Sequence, residues 1–405
     1  MDPHYRSLFN GAFSGAMYAA YQADFEERTG TSCPFRLAET PVFLPSDLKA
    51  RLVDAATEIL RQISDAARIE RMKEAIPAAW HAPGIDHLPS FTQIDFAIVR
   101  DEHGALAPRL IELQGFPSLT AMQVLQCDSW SATLDTIDGL DRTWSCWFSD
   151  LDRDSFLDLA RRTIVGDNDP GEVILMDIDP REQKTYPDFA ATKTLFGVEA
   201  VDPRDLVREG KRLWRRREDR AAMTPVRRIY NRVVFDELIA RGLRLPFDYR
   251  DELEVEWAPH PNWYWIWSKY SLPFLDHPAV PAATFVSDLT AIPDDLETRY
   301  VLKPLFSFAG GGVNVEPRAA DLARIPVEER HSWCIQEKIT YEPALVAADG
   351  GGVKVEIRMM FLRPDDEREP ILAQNLCRLA RGKMLGVDFN KDLTWVGSSI
   401  GIFPS

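Results

Sequence analysis

"FTQIDFAIVRDEHGALAPRLIELQGFPSL", residues Phe91 to Leu119, alternates apolar and polar side chains on both sides of a break at Asp101 to Gly104. A period of two places alternate side chains on one face of a strand, and the break has the residue types of a turn. The pattern predicts a β-hairpin with polar side chains displayed on one face. That hairpin supplies Asp95, Glu112 and Gln114.

Tyr300 to Val315, "YVLKPLFSFAGGGVNV", places Lys303 at the end of a β-type run and Gly310, Gly311 and Gly312 after an aromatic loop. It matches neither GxxxxGK[ST] nor GxGxxG. Glycines let backbone N–H groups approach phosphate oxygens closely, and a lysine adds a point charge to the same oxygens. A flexible surface turn explains the glycines equally well. The second GGGV, at Gly350, reads as a hairpin turn.

Four regions follow from the changes of period. Residues 1–90 read as mainly helical, with Ser46 as N-cap of "SDLKARLVDAATEILRQISDAARI". Residues 91–166 hold the hairpin and further helices. Residues 171–250, after the turn-forming Asp167 to Gly171, alternate strand and helix: "EVILMDID", "TYPDFAATKTLFG" closed by Gly197, "VEAVD", and "RRIYNRVVFDELIARG", a strand running into a helix. That order implies a small α/β unit. Residues 253–405 read as strands and turns, including the aromatic "PNWYWIWSKYSLPFL" with Lys269 and the segment "SWCIQEKITYEP" with Gln336, Glu337 and Ile339. The fold class is α+β or α/β.

The net charge of -16 over 405 residues argues against nucleic acid as a partner. The one strongly basic run, Lys211 to Arg217, reads as a solvated face or a local anion contact. No apolar run approaches membrane-spanning length, and no basic segment precedes the apolar Gly11 to Tyr21, so neither a membrane span nor a signal peptide is expected. The five cysteines are odd in number, scattered and without a CxxC pair. They read as reduced thiols of a cytoplasmic protein, not as a disulfide framework or zinc knuckle.

In the order of its motifs the chain resembles the ATP-grasp superfamily, and within it the circularly permuted group containing glutathionylspermidine synthetase. "QIDF" with Asp95, "IELQGFPSL" with Glu112 and Gln114, "MTPVRRIYNR", "SKYSLP" with Lys269, "YVLKP" with Lys303, "AGGGV" and "IQEKI" stand in the family's order over roughly residues 90 to 400. The resemblance implies an ATP-grasp fold in which residues 171–250 are the pre-ATP-grasp unit. Lys269 and Lys303 would bind ATP phosphates, and Gly310 to Gly312 would form a phosphate lid. Gln336 to Ile339 would hold adenine, with Glu337 on the ribose, and Asp95, Glu112 and Gln114 would hold Mg²⁺. Arg378 is the favoured catalytic cation among Arg358, Arg378 and Arg381. The implied activity is an ADP-forming ligase joining a small-molecule carboxylate to an amine through an acyl-phosphate. Gln93 and Gln114 stand where the family has Arg and Asn.

On spacing alone, Asp95 and Glu112 read as exposed hairpin residues, and Arg358 reads equally as one half of a surface ion pair or as a cation that neutralises phosphate. Lys269 reads equally as a side chain laid over Trp263, Trp265 and Trp267. Asp388 and Asn390 form a competing D-x-N metal pair. The Gln93 and Gln114 departures keep a second function open, a decayed nucleotide-binding or regulatory protein, and a small-molecule phosphotransferase is a third. Residues 1–90 shape either the acceptor site or an oligomer contact such as a homodimer.

Overall fold

The computed structural model describes residues 1–217, 222–307, 311–382, 390 and 392–405. The hairpin forms from Phe91–Arg100 and Leu106–Gln114. The turn between them is closed by Asp101, whose Oδ1 accepts from the His103 and Ala105 amides at 3.0 and 2.9 Å. Two later strands, Gly352–Leu362 and Ile371–Ala380, extend the hairpin into an antiparallel sheet that ends with Gly397–Ser399.

Register decides what this sheet carries. Asp95 lies opposite Glu112 on one side and Arg358 on the other, Gln93 opposite Gln114, and Glu356 opposite Arg378. Directly opposed side chains share a face. One face therefore gathers these polar groups, while Ile94, Phe96, Leu113, Ile357, Met359 and Leu379 point into the main core. The polar face is not displayed to water as the alternation suggested: Gln93, Asp95 and Arg358 are all buried. A β-bulge interrupts the ladder. Asp95 and Phe96 pair with Glu112 and Leu110, so Ile111 is an extra residue outside the regular pairing.

The small α/β unit is a parallel sheet in the order Glu256–Ala258, Arg228–Asn231, Val173–Met176, Glu199–Val201. Helix Tyr186–Phe196 ends on Gly197, as its sequence predicts. The fourth strand comes from beyond residue 250. From Val173–Met176 the chain first moves to one neighbour and later crosses to the other, so the strand order reverses between Val173–Met176 and Arg228–Asn231. The basic run at 211–217 is neutralised locally: Lys211 pairs with Glu252, Arg212 with Glu254 and Arg215 with Glu199.

"PNWYWIWSKYSLPFL" is not a strand. It forms a helical turn, Trp263–Ile266, and a 3-10 helix, Lys269–Phe274. Trp263 and Trp267, four residues apart, bury on one side of that turn, and Gly115 makes room for them. A Cβ at Gly115 would stand 3.1 Å from both Trp263 Cβ and Trp267 Cβ, which explains the glycine after "IELQ".

A three-stranded sheet of Ala283–Phe285, Trp333–Glu337 and Tyr300–Pro304 carries its own small core around Leu302, Leu322 and Ile335. The N-terminal helices pack into the main core, and Val42–Phe43 pairs in parallel with Gly401–Ile402. The long helix differs from its reading. It runs Ser46–Ile63 with Pro45 at the cap position and no side-chain capping bond. It stops where Asp65 accepts from the Arg68 amide and starts a second helix, Ala66–Met72. Among the described residues no helix is long and apolar enough to cross a membrane.

Candidate functional site

The β-bulge and the two lysines define the centre of the site. Because Ile111 is out of register, its carbonyl is free to accept from Lys303 Nζ at 3.0 Å. Lys303 also donates to Gln336 Oε1 at 2.6 Å. Burial pulls its ammonium below the usual lysine range, while the nearby Glu112 carboxylate opposes that shift. Lys269 opens the 3-10 helix, donates to the Ser307 carbonyl and lies 3.6 Å from Glu112 Oε2. The hairpin carboxylate thus stands between two cations that arrive from different parts of the chain.

Asp95 has a different environment. Arg358 grips both of its oxygens, Nε to Oδ1 and Nη2 to Oδ2, each at 2.6 Å, and Arg378 donates to Oδ2 as well. Burial would push this carboxyl up, but the two guanidinium groups outweigh it and hold Asp95 below the usual carboxylate range. Arg378 Nε also lies 3.2 Å from Glu356 Oε2, and the Tyr341 hydroxyl donates to Glu356 Oε1 at 2.7 Å. The sheet face and its surroundings therefore hold Lys269, Lys303, Arg358 and Arg378 against Asp95, Glu112 and Glu356. The cations are in excess by one, as suits a polyanionic ligand. A cleft with an aromatic wall of Trp267 and Phe306 opens beside Glu112, Gln114 and Lys269.

The other sequence candidates are placed as follows. Gly311 and Gly312 lie in the turn after Pro304. Gly312 has φ +72°, and a Cβ there would stand 3.0 Å from Pro304 Cγ, so this turn needs glycine to fold back on the end of the lysine strand. Gly310 and Asp388 lie outside the described residues. Asn390 Oδ1 accepts from the Arg381 and Gly382 amides, a turn-closing role. The Gln336 carboxamide faces Lys303. Glu337 Oε1 accepts from Arg299 at 2.7 Å. Trp333–Glu337 is the central strand of its sheet, so its main chain is largely paired, and Ile339 lies in the irregular stretch just beyond it.

Magnesium tests the hairpin donors one by one. Gln114 Nε2 donates to Gln93 Oε1 at 3.3 Å and to the Phe116 carbonyl at 3.1 Å, leaving its own carbonyl oxygen as the ligating atom. Among the described residues the ion pair that the Glu112 carboxylate makes is with Lys269, at 3.6 Å, too long for a hydrogen bond. Two hard oxygen donors suit Mg²⁺ that arrives on a triphosphate, which takes one or two protein ligands plus phosphate oxygens. Asp95 is committed to its arginines and orders the site from behind. Among the described residues no group of three or more His, Cys, Asp or Glu side chains is arranged to hold a metal.

Two features escaped the sequence. Arg358, for which a surface ion pair is one of two equal readings, is buried on Asp95, because its strand is covered on both faces. The second feature is the crevice where the parallel strand order reverses, the usual ligand position in such sheets. Asp177 follows one strand, and Asn231 and Arg232 end the other. Arg232 Nη1 pairs with Asp188 Oδ2 at 2.5 Å. Asp188 Oδ1 accepts from the Ala121 and Met122 amides, which ties the crevice to the helix that follows the hairpin. Asn231 Nδ2, Arg232 Nε and the Tyr249 hydroxyl are buried without a hydrogen-bond partner among the described residues. The signal was a strand ending abruptly in polar residues, "VILMD" and "RIYNR", at the carboxyl end.

Burial pushes the Asp177 carboxyl up to about 7, against the pull of Arg232. A raised carboxyl favours the folded state at low pH, where it is protonated in both states, and that advantage is lost as pH rises from about 4 to about 7. Each pH unit is worth ~1.4 kcal/mol, so ionisation costs on the order of 4 kcal/mol above neutrality. Asp177→Asn should therefore melt above the unmodified protein at pH 8 and equal it near pH 4. Thermal melts of both proteins across that range check this, and parallel curves would refute it.

No protein-family model matches the chain. No curated protein matches it in sequence. Among solved structures, the apo form of a glutathione synthetase-like effector from Globodera pallida matches with a TM-score of 0.56 over 98% of this chain and 98% of that one, at 12% identity. At that identity the likeness concerns architecture alone: the chain has a fold similar to that of a glutathione synthetase-like protein.

Proposed function

We propose that the protein is an ATP-dependent carboxylate–amine ligase. The observation that carries this reading is the convergence of Lys269, Lys303 and Glu112 beside one cleft, with the Asp95–Arg358–Arg378 clamp behind them. Lys269 and Lys303 hold triphosphate oxygens, and the turn that carries Gly311 and Gly312 covers them. Main-chain groups from Gln336 to Ile339 border the base, with Glu337 near the ribose. Glu112 and Gln114 would hold Mg²⁺, which when bound would offset charge on the phosphates.

In the reaction, a substrate carboxylate oxygen attacks the γ-phosphorus and ADP leaves. The amine nitrogen then attacks the acyl carbon, phosphate leaves, and the amine gives up a proton. The chain supplies positioning and charge rather than a covalent nucleophile. Arg378, shared between Asp95 and Glu356, is the cation best placed to turn toward a transferred phosphoryl group. The crevice at Asp177, Asn231 and Arg232 is the acid or amine subsite, because its buried donors lack partners among the described residues.

A non-catalytic nucleotide-binding protein is the second reading, favoured by two observations: Asp95 is neutralised by arginines, and Gln114 is tied to Gln93. An ADP-release screen with ATP, Mg²⁺ and pooled small carboxylates and amines separates the two. Release that needs both pools is expected. Saturable ATP binding without release supports the second reading, and a stable phosphorylated product from one pool indicates a phosphotransferase. Absence of ATP binding by calorimetry would overturn all three.

A further inference from the structure

Cys127 and Cys146 meet in the main core, although nothing in their spacing marked them as a pair. Cys127 lies on helix Thr120–Leu134 and is 4% exposed; Cys146 follows the short strand Trp144–Ser145 and is fully buried. Their Sγ atoms stand 2.7 Å apart. Uncharged heavy atoms in ordinary contact sit roughly 3.5–4.0 Å apart, whereas sulfurs in a disulfide are ~2.05 Å apart. Both backbones are held. The helix is anchored at its first turn by Asp188, Cys146 O accepts from Asn375, and Trp144–Ser145 pairs with Phe403–Pro404. The two sulfurs are thus kept together by packing that does not depend on a bond between them.

We infer that Cys127 and Cys146 form an intramolecular disulfide when the protein meets an oxidising thiol pool. The oxidant is a low-molecular-weight disulfide such as oxidised glutathione. The thiolate of Cys127, the less buried of the two residues, attacks it and releases one small thiol, leaving a mixed disulfide on Cys127. Cys146 attacks the Cys127 sulfur, and its proton goes to the departing small thiolate, which leaves as the second small thiol. Two protein thiols are oxidised and one small disulfide is reduced to two thiols. The bridge closes a loop of about 20 residues, which restricts the unfolded chain.

The test uses the full chain, reduced and then equilibrated with oxidised glutathione, followed by alkylation in denaturant and intact-mass analysis. The reduced protein should take five alkyl groups, one per cysteine. The oxidised protein should take three, with Cys127 and Cys146 linked in a peptide map, and its melting point should rise by a few degrees. Cys146→Ser should prevent the cross-link and trap a glutathione adduct on Cys127. Five alkylated thiols after oxidation of the folded protein, or linkage through Cys33, Cys334 or Cys377, would overturn the inference.

Discussion

Asp95→Ala should lower the stability of the folded chain by ~3–5 kcal/mol, the usual cost of removing one partner from a buried ion pair. The loss is large because Asp95 answers two guanidinium groups at once, and Arg358 in particular is a buried cation. Chemical denaturation of the two proteins measures the difference. Pairing the change with Arg358→Met should recover much of the loss, since the stranded cation is then gone; a double variant no better than the single one would place the cost elsewhere. The pH dependence has a defined sign. The Asp95 carboxyl is held low in the fold, so its stabilising contribution is present above the usual carboxylate range. It is lost as pH falls through the lowered folded value. In Asp95→Ala, that part of the acid sensitivity should disappear.

The second large effect concerns Lys303. Lys303→Ala should cut ATP-dependent ADP release by roughly 10²–10³-fold, the cost of removing one preorganised charge donor from a site that excludes water. Nucleotide affinity, read by calorimetry, should fall with it. The position also discriminates between lysine and arginine. The ammonium reaches a single carbonyl, Ile111 O, and one carboxamide oxygen, Gln336 Oε1, within a buried space. A planar guanidinium presents its donors in a fixed fork and does not reproduce that geometry. Lys303→Arg should therefore fail to restore release although it keeps the charge. If Lys303→Ala folds, as judged by an unchanged melting curve, and still releases ADP at the normal rate, the phosphate role of this strand is wrong.

Local elements were legible in the sequence where local chemistry makes them. The hairpin turn is closed by a side chain one residue past the strand, and helix Tyr186–Phe196 ends on a glycine that takes positive φ. The polar residues of the hairpin were likewise visible as a periodic set. What was hidden is the partner strand: Arg358 faces Asp95 across more than 260 residues of chain, and alternation shows which side chains share a face but not which strands lie side by side. The same limit explains the misread exposure. A strand with one polar face looks identical whether that face meets water or a second layer carrying lysines. The helix break at Asp65 was masked for another reason. Apolar periodicity continues across it, and only the capping bond to the Arg68 amide shows that two helices share one stripe.

The pairing of Val42–Phe43 with Gly401–Ile402 has a consequence for synthesis. Helices made first have no completed core to rest on until the ribosome has released the segment that carries residues 401 and 402, and the central sheet likewise waits for residues 352–380 to join 91–114. Such distant contacts make folding slow and leave apolar surface open while translation proceeds. The yield of the chain in a foreign host should therefore depend more on holding that early half soluble than on any property of the finished cleft.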